Sequence, residues 1–272
     1  MIVKQVEKQI QTVDPRVRAG AEAERQMAFY LHREFVTDPA VLVLNDLRLV
    51  DRHQPEHDGR PGVCQIDHLI LHRCGAIIVE SKSVTDEVSV RDDGAGGDEW
   101  TRRFRGQEQG FPSPIQQARR QGEFLRSYLQ RHRQDLLGKV NTGLRTLAKL
   151  VAGSDQRGFR NMPIQIIVAI SDQGKIRRVN QWKEPTKPFR TFVSKADLVP
   201  AKIRKEHKRH KAASRLLGEP KGDYGVWLMQ AEETAAVAEF LASSHQPKER
   251  AVSADQSGAT PRPPVSTAAN TP

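Results

Sequence analysis

Two apolar runs separated by a short turn dominate the hydrophobic pattern of this chain. The first is Gln65-Ile66-Asp67-His68-Leu69-Ile70-Leu71 and the second is Ala76-Ile77-Ile78-Val79-Glu80-Ser81-Lys82, with His72-Arg73-Cys74-Gly75 between them. Runs of this length, rich in branched residues and bounded by a glycine-bearing turn, predict a β-hairpin. Residues 41–50 read as the strand before it, and 163–170 as a further buried strand. Elsewhere the period lengthens to that of a helix. Val17, Ala21, Glu24, Ala28, Leu31 and Phe35 recur at helical spacing and predict a helix over 16–35 with this stripe turned inward. Ser113 and Pro114 are suited to an N-cap and a first helical residue, opening a helix that runs to about 133. Short elements are expected over 144–151 (helix), 189–193 (strand), from 194 onward (helix) and over 232–241 (helix), with a strand or helix start at 224–229. The pattern as a whole predicts an α/β fold, a mixed central sheet flanked by helices, with the hairpin at its heart.

The hairpin carries ionisable groups where a buried strand has little use for them. If its strands pair antiparallel about the turn, Asp67 falls opposite Glu80, and Lys82 lies two residues on along the same face. Two carboxylates and an ammonium then converge. Carboxylate oxygens suit hard cations such as Mg²⁺ or Mn²⁺, which bind through one or two acids, waters and substrate phosphate. A lysine beside them can orient water or stabilise charge on a phosphoryl group. A cross-strand salt bridge is the competing reading. Glu24 belongs to the inward stripe of the first helix, whereas Glu22 faces away. A buried acid needs a partner, which a shared metal or a buried arginine would supply. On the helix after Ser113, Gln117, Gln121, Phe124 and Tyr128 share a face. Gln117 could meet a phosphate, a base edge or a metal-bound water, or simply bond within the core. Arg119, Arg126 and Arg133 recur on another face, either solvated or tracking a phosphate backbone.

Taken together, these pieces resemble the NERD (nuclease-related) domain, a branch of the restriction-endonuclease-like, PD-(D/E)xK superfamily. The resemblance rests on Gly20-Ala21-Glu22-Ala23-Glu24, Gln65-Ile66-Asp67-His68, Gly75-Ala76-Ile77-Ile78-Val79-Glu80-Ser81-Lys82-Ser83, Trp100 and Ser113-Pro114-Ile115-Gln116-Gln117-Ala118. Ala23 stands where glycine is expected, Ser81 and Ser83 replace threonine and asparagine, and Ser113 replaces asparagine. None of these changes removes a catalytic group. The resemblance implies a Mg²⁺-dependent nuclease core over 16–133, with Glu24, Asp67 and Glu80 as metal-binding acids, Lys82 as catalytic cation and Gln117 in support.

Charge and composition sharpen the partner class. The chain has 272 residues and a formal net charge of +10, which favours a polyanion, nucleic acid foremost. Its densest basic run spans 202–211, where Lys205, Lys208 and Arg209 are expected to contact nucleic acid alongside Arg119 and Arg126. Aromatic residues make up only 6%, too few for a platform that stacks single-stranded bases. The two cysteines fit a reducing compartment and are kept apart by the hairpin, so no disulfide is expected. His68 and His72 would lie about 13 Å apart along a strand, which disfavours structural zinc. No stretch is apolar enough to span a membrane and no secretory leader opens the chain, so a cytoplasmic location is expected. Organisation divides into a lead-in at 1–15, the core at 16–133, a continuation or appended α/β region at 134–244, and a disordered tail at 245–272. The favoured function is metal-dependent hydrolysis of nucleic acid, DNA before RNA, with a helicase or translocase as a conceivable partner. A non-catalytic nucleic-acid-binding or defence-system scaffold is the alternative. A small-molecule phosphatase leaves the positive charge unexplained.

Overall fold

The computed structural model describes residues 1–7, 13–104, 106–139, 156–213 and 227–248. The chain opens with β1 (Ile2–Lys4) and α1 (Pro15–Phe35), followed by β2 (Leu42–Asp51), β3 (Gly62–His72) and β4 (Gly75–Lys82). Three shorter strands come next: β5 (Glu87–Asp92), β6 (Asp98–Phe104) and β7 (Gln107–Phe111). Helices α2 (Pro114–Arg131) and α3 (Arg133–Leu136) lead to β8 (Ile164–Ile170), β9 (Lys175–Arg178) and β10 (Arg190–Lys195). Helices α4 (Val199–Ala213) and α5 (Ala231–Ser243) complete the described elements.

These strands form two sheets. The central one is mixed, in the order β1-β2-β3-β4-β8-β10, with β2, β3 and β4 antiparallel and the outer strands joined in parallel. All seven residues of β8 are buried, as their continuous apolar run requires of an inner parallel strand. One face of the sheet packs Val43, Ile70, Ile77 and Ile167 against α1 and α4. The other packs Leu44, Leu69, Ile78 and Ile166 against α2, α5 and Trp100 of β6. The mixed sheet flanked by helices is thus the expected architecture. A second sheet, in the order β7-β6-β5-β9, was not legible in the sequence. Its strands place only Val88, Val90 and Trp100 in the core, too short an alternation to declare itself, and the glycine-rich stretch at 92–99 is the turn between β5 and β6.

One local expectation shifts. Helix α1 buries Ala21, Ala23, Met27, Leu31 and Phe35, while Val17, expected inward, is 54% exposed because the helix's first turn borders a pocket. The polar loop at 51–61 folds back on α2. There Arg131 pairs with Asp51, and Gln54 Nε2 donates to Asp51 (2.8 Å) and to the Phe124 carbonyl (3.2 Å). The basic run at 202–211 is helical within α4. It docks on β3 through His72, whose ring stacks on His207 with centroids 4.7 Å apart, and burial keeps His72 uncharged. The helix expected over 144–151 and the tail from 249 onward lie outside the described residues. Among the described residues no helix is long and apolar enough to cross a membrane.

The hairpin turn is fixed by close approach. Gly75 has φ 147°, and a Cβ there would stand 2.4 Å from the carbonyl oxygen of Pro163, which accepts the Ala76 N–H at 2.9 Å. Gly75→Ala should therefore part β4 from the start of β8 and cost about 1–3 kcal/mol. Urea unfolding measures this, and an unchanged midpoint would contradict the packing described.

Candidate active site

The site is created by a slip in strand alternation. Along β2, Leu42 and Leu44 face the α2 side of the sheet, yet so do Leu47 and Leu49. Along β3, Cys64 and Ile66 face that side, and so do Leu69 and Leu71. Pairing between the strands stays in register across both breaks, with Asn45 opposite His68 and Leu47 opposite Ile66, so Asp46 stands opposite Asp67. Asp46 adopts φ 51°, a left-handed backbone that aspartate tolerates better than most residues. Its carbonyl and that of Asn45 accept the Lys4 ammonium at 2.9 and 3.2 Å, so both stay partnered despite the distortion.

At the same level the β3–β4 ladder ends. Its last pair is His68 opposite Val79, which puts Asp67 level with Glu80. Asp67 then accepts the Ser81 N–H on Oδ2 at 2.8 Å. Glu80, 1% exposed, is held from both sides. Lys82 Nζ donates to Oε1 at 2.6 Å, and Gln121 Nε2 donates to Oε2 at 2.9 Å. Lys82 also donates to Gln117 Oε1 at 3.1 Å, so α2 holds the lysine through one amide and the glutamate through another. These elements enclose a pocket of about 390 Å³ lined by Glu24, Asp67, Glu80, Lys82 and Gln117. The five residues expected from the sequence thus share one cavity.

A second hydrogen-bonded chain runs beneath the acids. Asn45 Nδ2 donates to the Lys4 carbonyl (3.1 Å), so its Oδ1 is the acceptor facing His68 Nδ1 at 2.8 Å. Burial drives the His68 pKa down to about 3, so the ring is neutral and its one N–H is on Nδ1. His68 Nε2 must then accept from the Ser81 hydroxyl at 3.2 Å. One polar line therefore ties β1, β2, β3 and β4 together directly behind Asp67 and Glu80.

The acids are crowded. Burial, then the charges of Asp46 and Glu80, raise Glu24 to about 7. Burial and the charges of Glu80 and Glu24 likewise push Asp67 well above its usual range. Carboxylates that hold their protons this firmly match a position for a divalent cation, whose charge would release them. Among the described residues no three carboxylate, imidazole or thiol groups already stand close enough to enclose an ion. The donor set therefore fits a Mg²⁺-type ion held by one or two carboxylates with water, better than a closed protein cage. Cys64, free and buried, has its thiol pushed up to about 12 by burial and offers no thiolate.

The basic residues expected to contact nucleic acid lie elsewhere. Lys205, Lys208 and Arg209 line a separate hollow of about 550 Å³ with Tyr30, Arg33 and Arg204. Arg119 donates to Gln116 and to the Lys187 carbonyl. Arg126 donates to the Met162 carbonyl at 2.8 Å and rests on the Phe189 ring, which commits it to packing. Sequence reasoning missed Asp46, the role of Gln121 and the arginines of β6 that line the acid pocket. The spacing of Gln117 and Gln121 was the signal for the second amide. The broken leucine alternation around Asp46 was the signal for the slip.

The protonation of Glu24 has a measurable consequence. Its folded pKa lies above its unfolded value, so its contribution to stability is present below about pH 4.5 and is lost as pH rises through about 7. Glu24→Gln should raise the stability of the metal-free protein at pH 8 by about 1–2 kcal/mol, allowing for solvent screening, and change little at pH 4.5. In the unsubstituted protein, Mg²⁺ should raise the melting temperature more at pH 8 than at pH 5.5. Thermal unfolding at these pH values, with and without Mg²⁺, checks both; equal shifts would separate Glu24 from the ion.

No curated protein and no solved structure matches the chain. The nuclease-related domain model matches residues 19–153, a span that holds Glu24, Asp67, Glu80, Lys82 and Gln117 together. Through that domain the chain belongs to the NERD (nuclease-related domain) family, and with it to the restriction-endonuclease-like superfamily.

Proposed function

We propose that this protein is a Mg²⁺- or Mn²⁺-dependent nuclease that hydrolyses phosphodiester bonds of nucleic acid, DNA in preference to RNA. The observation that carries the reading is the shared pocket, in which three acids from α1, β3 and β4 meet a lysine held by α2. Asp67 and Glu80 would hold the ion with water, Glu24 helping to hold it or a second ion, and the ion would supply Lewis acidity and a water of lowered pKa. Glu80 is fixed by Lys82 and Gln121, so its carboxylate needs no rearrangement to serve. Asp67 is oriented by the Ser81 N–H, and Glu24 approaches from the helix opposite. Lys82 lies at the pocket wall, where its ammonium can donate to an attacking water or to a phosphoryl oxygen. The net charge of +10 supports a polyanionic substrate. A helicase or translocase partner would suit an enzyme that meets its substrate as opened strands.

The test is cleavage of circular single-stranded and supercoiled DNA by the full chain. Cutting should require Mg²⁺ or Mn²⁺ and stop with EDTA. Glu80→Gln and Lys82→Met should each slow it by about 100-fold or more, with melting temperatures reported alongside. Activity that survives both substitutions would remove this pocket from the chemistry. Salt-sensitive DNA binding without any cutting would instead assign a binding role.

A further inference from the structure

The acid pocket has a second wall of opposite sign. Arg16, in the first turn of α1, and Arg102 and Arg103, on β6 of the second sheet, line the same cavity as Glu24, Asp67 and Glu80. Lys82 is already engaged by Glu80 and Gln117, so it does not balance the cavity's charge by itself. Arg102 is the telling member. Its Nε is buried and has no hydrogen-bond partner among the described residues, and no carboxylate pairs with its guanidinium there. A buried donor left unpaired is costly and calls for a ligand or water. The guanidinium sits 5.8 Å from the centroid of the Phe111 ring, which braces it from β7.

The placement of this wall is built in. Asp98, at the start of β6, accepts from Trp100 Nε1, from Ser113 Oγ and from Gln116 Nε2. Ser113 is also the N-cap of α2, accepting the Gln116 N–H at 3.0 Å. One carboxylate therefore locks the strand that carries Arg102 to the helix end that carries Gln117. The arginine wall and the acid wall are held at fixed separation across the pocket.

We propose that Arg102, assisted by Arg103 and Arg16, grips a backbone phosphate of the nucleic-acid strand and seats it against the acids. The inference rests on the nucleic-acid reading above and names the residues that would orient the strand. A guanidinium offers a planar fork that matches two phosphate oxygens, and an unpaired buried Nε–H is one tine of it. Arg103, exposed at the pocket rim, and Arg16 would steer the neighbouring phosphates. The grip addresses the phosphodiester backbone, so it is indifferent to base sequence.

Fluorescence anisotropy of a labelled oligonucleotide, titrated with the full chain in EDTA over a salt series, separates binding from cutting. Arg102→Ala and Arg102→Gln should each weaken binding about tenfold and reduce the salt slope by about one. Arg102→Lys should restore the slope but only part of the affinity, because lysine keeps the charge and loses the fork. Melting temperatures within a degree or two of the unsubstituted protein would show that the fold is intact, and the glutamine variant guards against collapse of the alanine one. Unchanged affinity and slope in both variants, with salt-sensitive binding by the unsubstituted protein, would overturn the grip and leave the nucleic-acid reading standing. A loss seen only with a 5′-phosphorylated oligonucleotide would also overturn it, since that marks recognition of a terminal monoester. Absence of salt-sensitive binding by the unsubstituted protein would sink the nucleic-acid reading itself.

Discussion

Everything at the site depends on the two strands turning over at Asp46 and Asp67. Their inner parts, Leu42–Asn45 and His68–Leu71, are buried on both faces, and the two aspartates stand where the alternation is interrupted. Here the interruption lets Leu47 and Leu49 rejoin the core that Leu42 and Leu44 occupy, so hydrophobic burial is preserved on both sides of the break. The left-handed backbone at Asp46 costs about 1–3 kcal/mol. That cost is offset by the Lys4 ammonium on two carbonyls and by leucine packing that would be lost without the slip. The short strand β1 accordingly does more than extend the sheet: it carries the residue that stabilises the distortion.

The same break explains why the acids are oriented rather than merely present. Where the β3–β4 ladder stops, the Ser81 N–H is released from strand pairing and taken up by Asp67. Ser81 then faces two ways, its amide toward Asp67 and its hydroxyl toward His68. Because Asn45 presents an oxygen to His68 Nδ1, the ring has one tautomer available, and a neutral ring is what burial enforces. A charged imidazole at this place would add a cation below the acids and leave Ser81 without an acceptor. The neutral ring instead transmits position, from the distorted part of β2 to the strand that carries Glu80 and Lys82.

How much of this was legible depended on the range of the interaction. The hairpin, its register and the convergence of Asp67, Glu80 and Lys82 follow from alternation and turn placement, which are local. Helix α1 was read from its period, but Val17 was turned inward because periodicity does not say where a helix runs out of sheet to cover. The second sheet was missed because most of its residues are polar and its stability comes from Trp100 and from Asp98, which bonds to residues fifteen and more positions away. Arg102 was invisible for the same reason, since nothing local marks an arginine on a polar hairpin as facing an acid pocket. Arg126 shows the converse: its place in a stripe of arginines pointed to solvent or a phosphate backbone, yet its guanidinium is folded onto Phe189 and a backbone carbonyl.

The three acids are not equivalent, and their surroundings say how the work divides. Glu80 is almost fully buried, and its two oxygens are met by an ammonium and an amide, so its geometry is settled before any ligand arrives. Removing either donor would leave a buried charge uncompensated, which is far more costly than an exposed one. Glu24 stands on a helix rather than in the sheet, and burial first, then the charges of Asp46 and Glu80, raise its carboxyl to about 7. With Asp67, whose carboxyl burial and the neighbouring acids also push up, it is an acid on which added positive charge would act. Such a site trades stability for readiness: the fixed acid is bought with buried partners, and the protons held on the raised acids keep the cavity from accumulating negative charge.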